Sequence, residues 1–384
     1  MKLLHTADWH LGKIVHNVHM TEDQKDMLEQ FMQIVRREEP DVVIIAGDLY
    51  DRSIPPKQAV ELLNDTFTEL VNDIQVPVLA ISGNHDSPDR LQFGTSLFRN
   101  QGLFLDTKLR KNREAVTLYD DHGPVHFHLI PYVEPAEVAY AFEDDSIKTH
   151  QQAAERIVED IRERFSSDER HVWVGHAFLA GGMESESEER LSMIGGSPYV
   201  DARLYHDFTY VALGHLHQPQ RVTKDTIRYS GSLLKYSFSE ANHKKSVAAI
   251  QLDNSGVASI EQIPLTPERD FEVVEGYFEE LLGGEAAANP SNYLHVRLLD
   301  DGQLLDPMGK LRKVYPNVLH LERVQLHAKS NLEELEQVKE RQKRSPEELF
   351  QSFYEDMKGE EMPENRKEIL EEAIQQLRES ERGK

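Results

Sequence analysis

Five short apolar runs, spread over the first 217 residues, each end in a loop built from Gly, His, Asp and Asn. Leu3-Leu4 leads into His5-Thr6-Ala7-Asp8-Trp9-His10, and Val42-Val43-Ile44-Ile45-Ala46 leads into Gly47-Asp48. Val78-Leu79-Ala80-Ile81 precedes Ser82-Gly83-Asn84-His85-Asp86. Val172-Trp173-Val174 precedes Gly175-His176, and Tyr210-Val211-Ala212-Leu213 precedes Gly214-His215-Leu216-His217. Runs of this length and β-branched content are strands. Helical spacing lies between them, as in Met27, Phe31, Ile34 and Val35, or Leu62, Leu63, Phe67 and Leu70. Strand, loop and helix in alternation predict an α/β domain whose sheets are largely buried. Loops at the carboxyl ends of such strands gather along one edge. The pattern therefore predicts that five polar loops, distant in sequence, meet at one place.

Further strands are expected near Ala115–Tyr119, Val125–Ile130, Ile227–Tyr229, Val247–Leu252 and Val257–Ile260. The pattern changes around Pro264–Pro267, which places the end of the first domain at residue 263. Residues 268–328 read as a small α+β domain in the order helix, strand, helix, strand: Glu275–Leu282, Tyr293–Leu299, Leu304–Val314 and Val318–Val324. Residues 331–384 read as a charged linker and two tail helices. Ser345-Pro346-Glu347-Glu348 is a capped helix start, followed by Leu349, Phe350, Phe353, Tyr354 and Met357 on one face. A second helix after Pro363 carries Ile369, Leu370, Ala373, Ile374 and Leu377. On physics alone these faces suit a private hairpin packed on the body or a partner helix equally well.

The loops offer Asp8, His10, Asp48, Asn84, His176, His215 and His217 as metal ligands. Asp-x-His and His-x-His let both side chains project to one side of an extended segment. Seven donors exceed what one ion with open positions takes, and they suit two ions sharing one carboxylate. Asp48 is the best bridge, because its two oxygens can face different ions. Two divalent ions about 3.5–4 Å apart can clamp a phosphate and activate water for in-line attack. His85 is surplus to coordination and is the natural proton donor to the leaving oxygen, with Asp86 a candidate to orient it. Mixed carboxylate, imidazole and amide ligation suits manganese, iron or zinc. Taken singly, each motif is weak: a His after a strand is usually a satisfied polar residue, and Gly-Asp is also a turn signal. Five in this order, each after a strand, carry the argument. Asp51-Arg52 is intermediate, since Arg52 suits a phosphate or a surface carboxylate. His5, His16, His19, His171 and His206 are expected at core edges or on the surface.

Composition bounds the rest. The 384 residues suffice for two or three domains. There is no Cys, so any transition metal must sit on His, Asp, Glu or Asn. No apolar run approaches the roughly 20 residues of a membrane span, and the N-terminus lacks a signal-peptide core. A cytoplasmic protein is expected. The formal net charge of −25 argues against a polyanionic substrate. Bound divalent cations or a partner subunit would relieve that conflict.

The ordered motifs Asp8-x-His10, Gly47-Asp48-x-x-Asp51, Gly83-Asn84-His85-Asp86, Gly175-His176 and Gly214-His215-x-His217 resemble the calcineurin-like metallophosphoesterases. Within that superfamily, His5 to Gly12, Gly47 to Asp51, Gly83 to Pro88, Gly214 to His217 and Tyr229-Ser230-Gly231-Ser232 resemble the nuclease subunits of bacterial SbcCD-type complexes. The resemblance covers residues 1 to about 260 and, more loosely, the second domain and tail. It implies a four-layer α/β/β/α phosphoesterase domain with a capping domain that shapes DNA access. It implies C-terminal helices that bind an SMC-like ATPase (SbcC), and a nuclease homodimer within a heterotetramer. It implies manganese dependence, with 3′→5′ exonuclease and endonuclease action on DNA ends and hairpins. One ion would take Asp8, His10, Asp48 and His217, and the other Asp48, Asn84, His176 and His215, with His85 as catalytic histidine. Some members carry a second histidine where this chain has Asp51, so Asp51 receives no catalytic role. Two other readings stand beside this one. A phosphatase or phosphodiesterase acting on phosphoprotein or nucleotide shares Gly-Asp-x-x-Asp-Arg, but its Gly-Asn-His-Glu differs from this chain at Asp86. A non-catalytic DNA-end scaffold that regulates an ATPase would not need seven ligands and a spare histidine.

Overall fold

The computed structural model describes residues 1–166, 168–188 and 199–324, with a few isolated positions from 350 to 370. It divides into a unit of residues 1–298 with 304–322 and a second unit of 299–303 with 323–384. The expected tail helices lie outside the described residues.

In the first unit, two six-stranded sheets form among the described residues. One runs in the order Gly256–Pro264, Ser246–Asp253, Lys2–Thr6, Val42–Ala46, Val78–Ile81 and Leu103–Asp106. Its last four strands are mutually parallel, with Leu3 beside Val42, Val43 beside Val78, and Val78 beside Leu103. The other runs Gln220–Val222, Lys224–Tyr229, Tyr210–Gly214, Arg170–His176, Gly123–Ile130 and Val116–Asp120. Its four central strands are parallel.

Alternation along the strands explains the layers. Val42, Ile44 and Ala46 join Leu79, Ile81, Phe127, Leu129, Val172, Val174 and Ala212 in the core between the sheets. Val43 and Ile45 point the other way, into a core shared with Met27, Phe31, Val35, Ala59 and Leu63. Those residues lie on helices Thr21–Glu38 and Lys57–Thr68. Beyond the second sheet, Trp173, Val211 and Leu213 meet Val138, Ile157, Val158 and Ile161, on helices Pro135–Phe142 and His150–Arg162. Strands buried on both faces must be apolar throughout, which is why Val-Val-Ile-Ile-Ala reads as one run. The result is helix, sheet, sheet, helix.

The first helix places Glu22 and Asp23 in its first turn and Arg36 and Arg37 in its last, matching the helix dipole at both ends. Residues 271–323 build a third sheet of Phe271–Gly276, Tyr293–Leu298 and Val318–Arg323. Its core holds Val274, Phe278, Leu281, Leu294, Val296, Leu311 and Tyr315. The expected order needs correction here. Glu275 and Gly276 lie in a strand parallel to Tyr293–Leu298, and only Phe278–Leu281 is helical. Within the second unit, Arg323 Nη1 donates to the Gly302 carbonyl at 3.1 Å.

Candidate metal centre

Each of the five apolar runs is a strand; Arg170–His176 carries Gly175-His176 within it, and the other four give way to the expected polar loops after Thr6, Ala46, Ile81 and Gly214. The backbone turns sharply there. Asp8 (φ 52°), His10 (φ 45°), Asp48 (φ 50°) and His215 (φ 104°) all lie at positive φ. Non-glycine residues there carry strain of about 1–3 kcal/mol each and cluster at functional sites. The expected extended Asp-x-His segment is therefore a pair of left-handed turns, which follow the strand end and bring both side chains inward. Close approach is also built in: a Cβ on Gly83 would collide with the Asp48 carboxylate and amide nitrogen.

The seven candidate ligands converge. His10 Nε2 lies 3.0 Å from His217 Nε2 and 3.6 Å from Asp48 Oδ2. Asp48 Oδ2 is also 3.3 Å from His176 Nε2, so one carboxylate oxygen faces both groups of imidazoles. Asn84 Oδ1 is 2.9 Å from His176 Nε2 and 3.2 Å from His215 Nδ1. Asp8 Oδ1 accepts the His215 amide at 2.8 Å. Donor atoms of Asp8, His10 and Asp48 lie within 4.8 Å of one another. Six of the seven are buried and Asn84 is half-buried.

The donor set fits divalent cations. Asp8 Oδ2 and His10 Nδ1 are buried without a hydrogen-bond partner, a costly arrangement unless something else satisfies the site. His176 donates Nδ1–H to the Ala46 carbonyl at 2.9 Å, which turns Nε2 toward Asp48 and Asn84. Burial pushes the Asp8 carboxyl up to about 7. Burial also holds His10 and His215 well below the usual imidazole range, so both are neutral and keep a lone pair for coordination. A cation introduced among them would restore Asp8 to its carboxylate form.

His85 is half-buried, its ring centroid 4.6 Å from that of His10. Its Nδ1 hydrogen-bonds the Asp51 carbonyl at 2.8 Å. Asp86 does not orient it, contrary to expectation. The Asp86 carboxylate accepts the backbone N–H groups of Leu49, Tyr50 and Gly83 at 3.0, 2.9 and 2.9 Å. It ties the second loop to the third. Asp51 uses its side chain on Lys13, at 2.6 Å, and Arg52 is exposed. His5 is a core residue bonded to the Tyr210 hydroxyl at 3.1 Å.

Gln24 was not visible as a site residue. Its amide donates to the carbonyls of Trp9 (3.2 Å) and His10 (2.7 Å), and its oxygen accepts the Gly12 amide at 2.9 Å. A buried glutamine on the apolar face of the first helix was the available signal. Glu188, Ser187, Glu240 and Lys245, which surround His217, carry no motif.

Residues 1–219 match the family model of calcineurin-like phosphoesterases, and residues 267–358 match that of the type 5 capsule protein repressor C-terminal domain. A Staphylococcus epidermidis relative is 37% identical over 358 residues, 93% of each chain. A Staphylococcus saprophyticus relative is 37% identical over 378 residues, 98% of each chain. Both relatives are named as a subunit of the nuclease SbcCD. The chain belongs to this family of calcineurin-like phosphoesterases. All five loops lie within the matched residues. Divalent metals are the cofactor class of such a domain. No helix among the described residues is long and apolar enough to cross a membrane.

Proposed function

We propose that the chain is the metal-dependent nuclease subunit of an SbcCD-type complex, acting on DNA ends and hairpins with an SMC-like ATPase. The observation that carries this reading is the convergence of seven ligands on one centre with Asp48 between two groups of imidazoles. In the proposal Asp8, His10, Asp48 and His217 hold one ion, and Asp48, Asn84, His176 and His215 hold the other. Manganese is the preferred metal, and the chain works in the cytoplasm. When bound, the two cations neutralise the phosphate and lower the pKa of the attacking water. The protein does the rest. Asp48 fixes the separation of the two ligand groups. His85, held at Nδ1 by the Asp51 carbonyl, delivers a proton from Nε2 to the departing oxygen. Residues 268–328 act as a capping domain that shapes DNA access. Residues 331–384 dock the ATPase, whose own surface supplies much of the grip on DNA. The nuclease subunit is a homodimer within a heterotetramer.

The test is cleavage of an end-labelled DNA hairpin in Mn²⁺, with and without the ATPase subunit. Wild type should cut, a chelator should abolish cutting, and His85→Ala should lose about 10²–10⁴-fold in rate. Unchanged cleavage by His85→Ala would remove the proposed proton donor.

A further inference from the structure

We propose that Glu240 is a positioning residue of the centre: it holds His217 by Nδ1 so that Nε2 is presented to a cation. This rests on the binuclear reading above and adds a residue to it. Glu240 is fully buried and ends the short turn Phe238–Glu240. Its Oε1 lies 3.2 Å from His217 Nδ1 and accepts the Tyr236 amide at 3.1 Å and the Ser187 hydroxyl at 2.5 Å, and that hydroxyl oxygen is itself 2.9 Å from His217 Nδ1. Its Oε2 accepts Lys245 Nζ at 2.5 Å. Lys245 is buried as well, and its other two donors go to the His217 carbonyl and to Ser232 Oγ, both at 2.8 Å. All three of its protons are thus used. The His217 amide donates to Glu188 Oε1 at 2.8 Å.

His217 is therefore held at its amide, its carbonyl and Nδ1, and the nitrogen that remains is the one 3.0 Å from His10 Nε2. Two buried charges and a hydroxyl are committed to orienting one imidazole. A buried ion pair is weak evidence for stability by itself, because desolvation offsets its attraction. Such an investment around a ligand points to the ligand's orientation. The two ligand groups also differ. His176 is backed by a neutral carbonyl, that of Ala46, whereas His217 is backed by a carboxylate. A carboxylate behind an imidazole raises its basicity as a ligand, and removing such a partner weakens metal binding about 10–100-fold.

The experiment is calorimetric titration of Mn²⁺ into chelator-stripped full-length chain, with the thermal midpoint measured in parallel. Wild type should bind two ions. Glu240→Ala should weaken one ion about 10–100-fold and leave the other within a few fold. Glu240→Gln, whose amide oxygen still accepts from Nδ1–H but carries no charge, should weaken the same ion less than Ala does. Glu240→Ala strands the Lys245 charge, so the double variant Glu240→Ala/Lys245→Met removes that burden and should show the same one-site loss. Lowered thermal midpoints with both affinities unchanged would mean a merely structural role and overturn the proposal. So would equal weakening of both ions, or a Gln variant as weak as Ala. A wild type that binds fewer than two ions would instead overturn the binuclear centre on which the proposal stands.

Discussion

His85 and Asp86 are adjacent in sequence and unrelated in duty. His85 turns toward the metal loops, while Asp86 faces the backbone and ties two of those loops together. Sequence singled out the histidine as proton donor because it is surplus to coordination, and the structure sets its ring centroid 4.6 Å from that of His10. Sequence misassigned the aspartate, because adjacency in a chain says nothing about which way a turn sends each residue. A proton donor matters most when the leaving group is a strong base. His85→Ala should therefore slow hydrolysis of a nitrophenyl phosphodiester far less than cleavage of DNA, the two rates being compared on one preparation. Away from the centre, Asp120 receives both arms of the Arg170 guanidinium at 2.9 and 2.6 Å. That fork holds its carboxyl well below the ordinary value of 3.8. A depressed carboxylate stabilises the fold fully above its unfolded pKa, and the contribution fades as pH falls below 3.8 toward the folded value. Asp120→Asn should cost about 1–2 kcal/mol at neutral pH. It should also flatten the loss of stability below pH 4, as read by urea denaturation across the acid range.

At the scale of elements, the five site strands were legible because burial on both faces makes each an unbroken apolar run. Phe271–Gly276 was not. Its Phe-Glu-Val-Val-Glu-Gly runs straight into Tyr277-Phe278-Glu279-Glu280-Leu281, where apolar residues recur at helical spacing, and the pattern of the second swallows the first. What makes it a strand is its pairing with Tyr293–Leu298, a partner some twenty residues away that no local window contains. The turns that follow the site strands are equally non-local. A methyl group on Gly83 would meet Asp48, which lies on another loop. Gly83→Ala should lower stability by about 1–3 kcal/mol and weaken Mn²⁺ binding, measured by thermal midpoint and calorimetry. A variant that binds both ions normally would show that the third loop can shift without disturbing the second.

For the whole molecule, a net charge of −25 sets the expectation for DNA binding. Alone, the chain should bind duplex weakly and steeply less so as salt rises, and adding the ATPase subunit should raise affinity at a fixed salt concentration. Deleting residues from Ser345 onward should abolish capture of that subunit while leaving the two-ion titration intact. A truncated chain that still captures its partner would move the docking surface elsewhere. The arrangement of the centre also has a consequence in time. Asp8 Oδ1 is bonded to the amide of His215, 207 positions later, and the last of the proposed ligands is His217. A chain emerging from the ribosome in N-terminal order holds its earliest ligands long before its latest ones exist. The ligand set is complete before the sheets are, since Gln220–Val222, Lys224–Tyr229, Ser246–Asp253 and Gly256–Pro264 are made after His217, and a chain cut short before His217 should bind no full pair of ions.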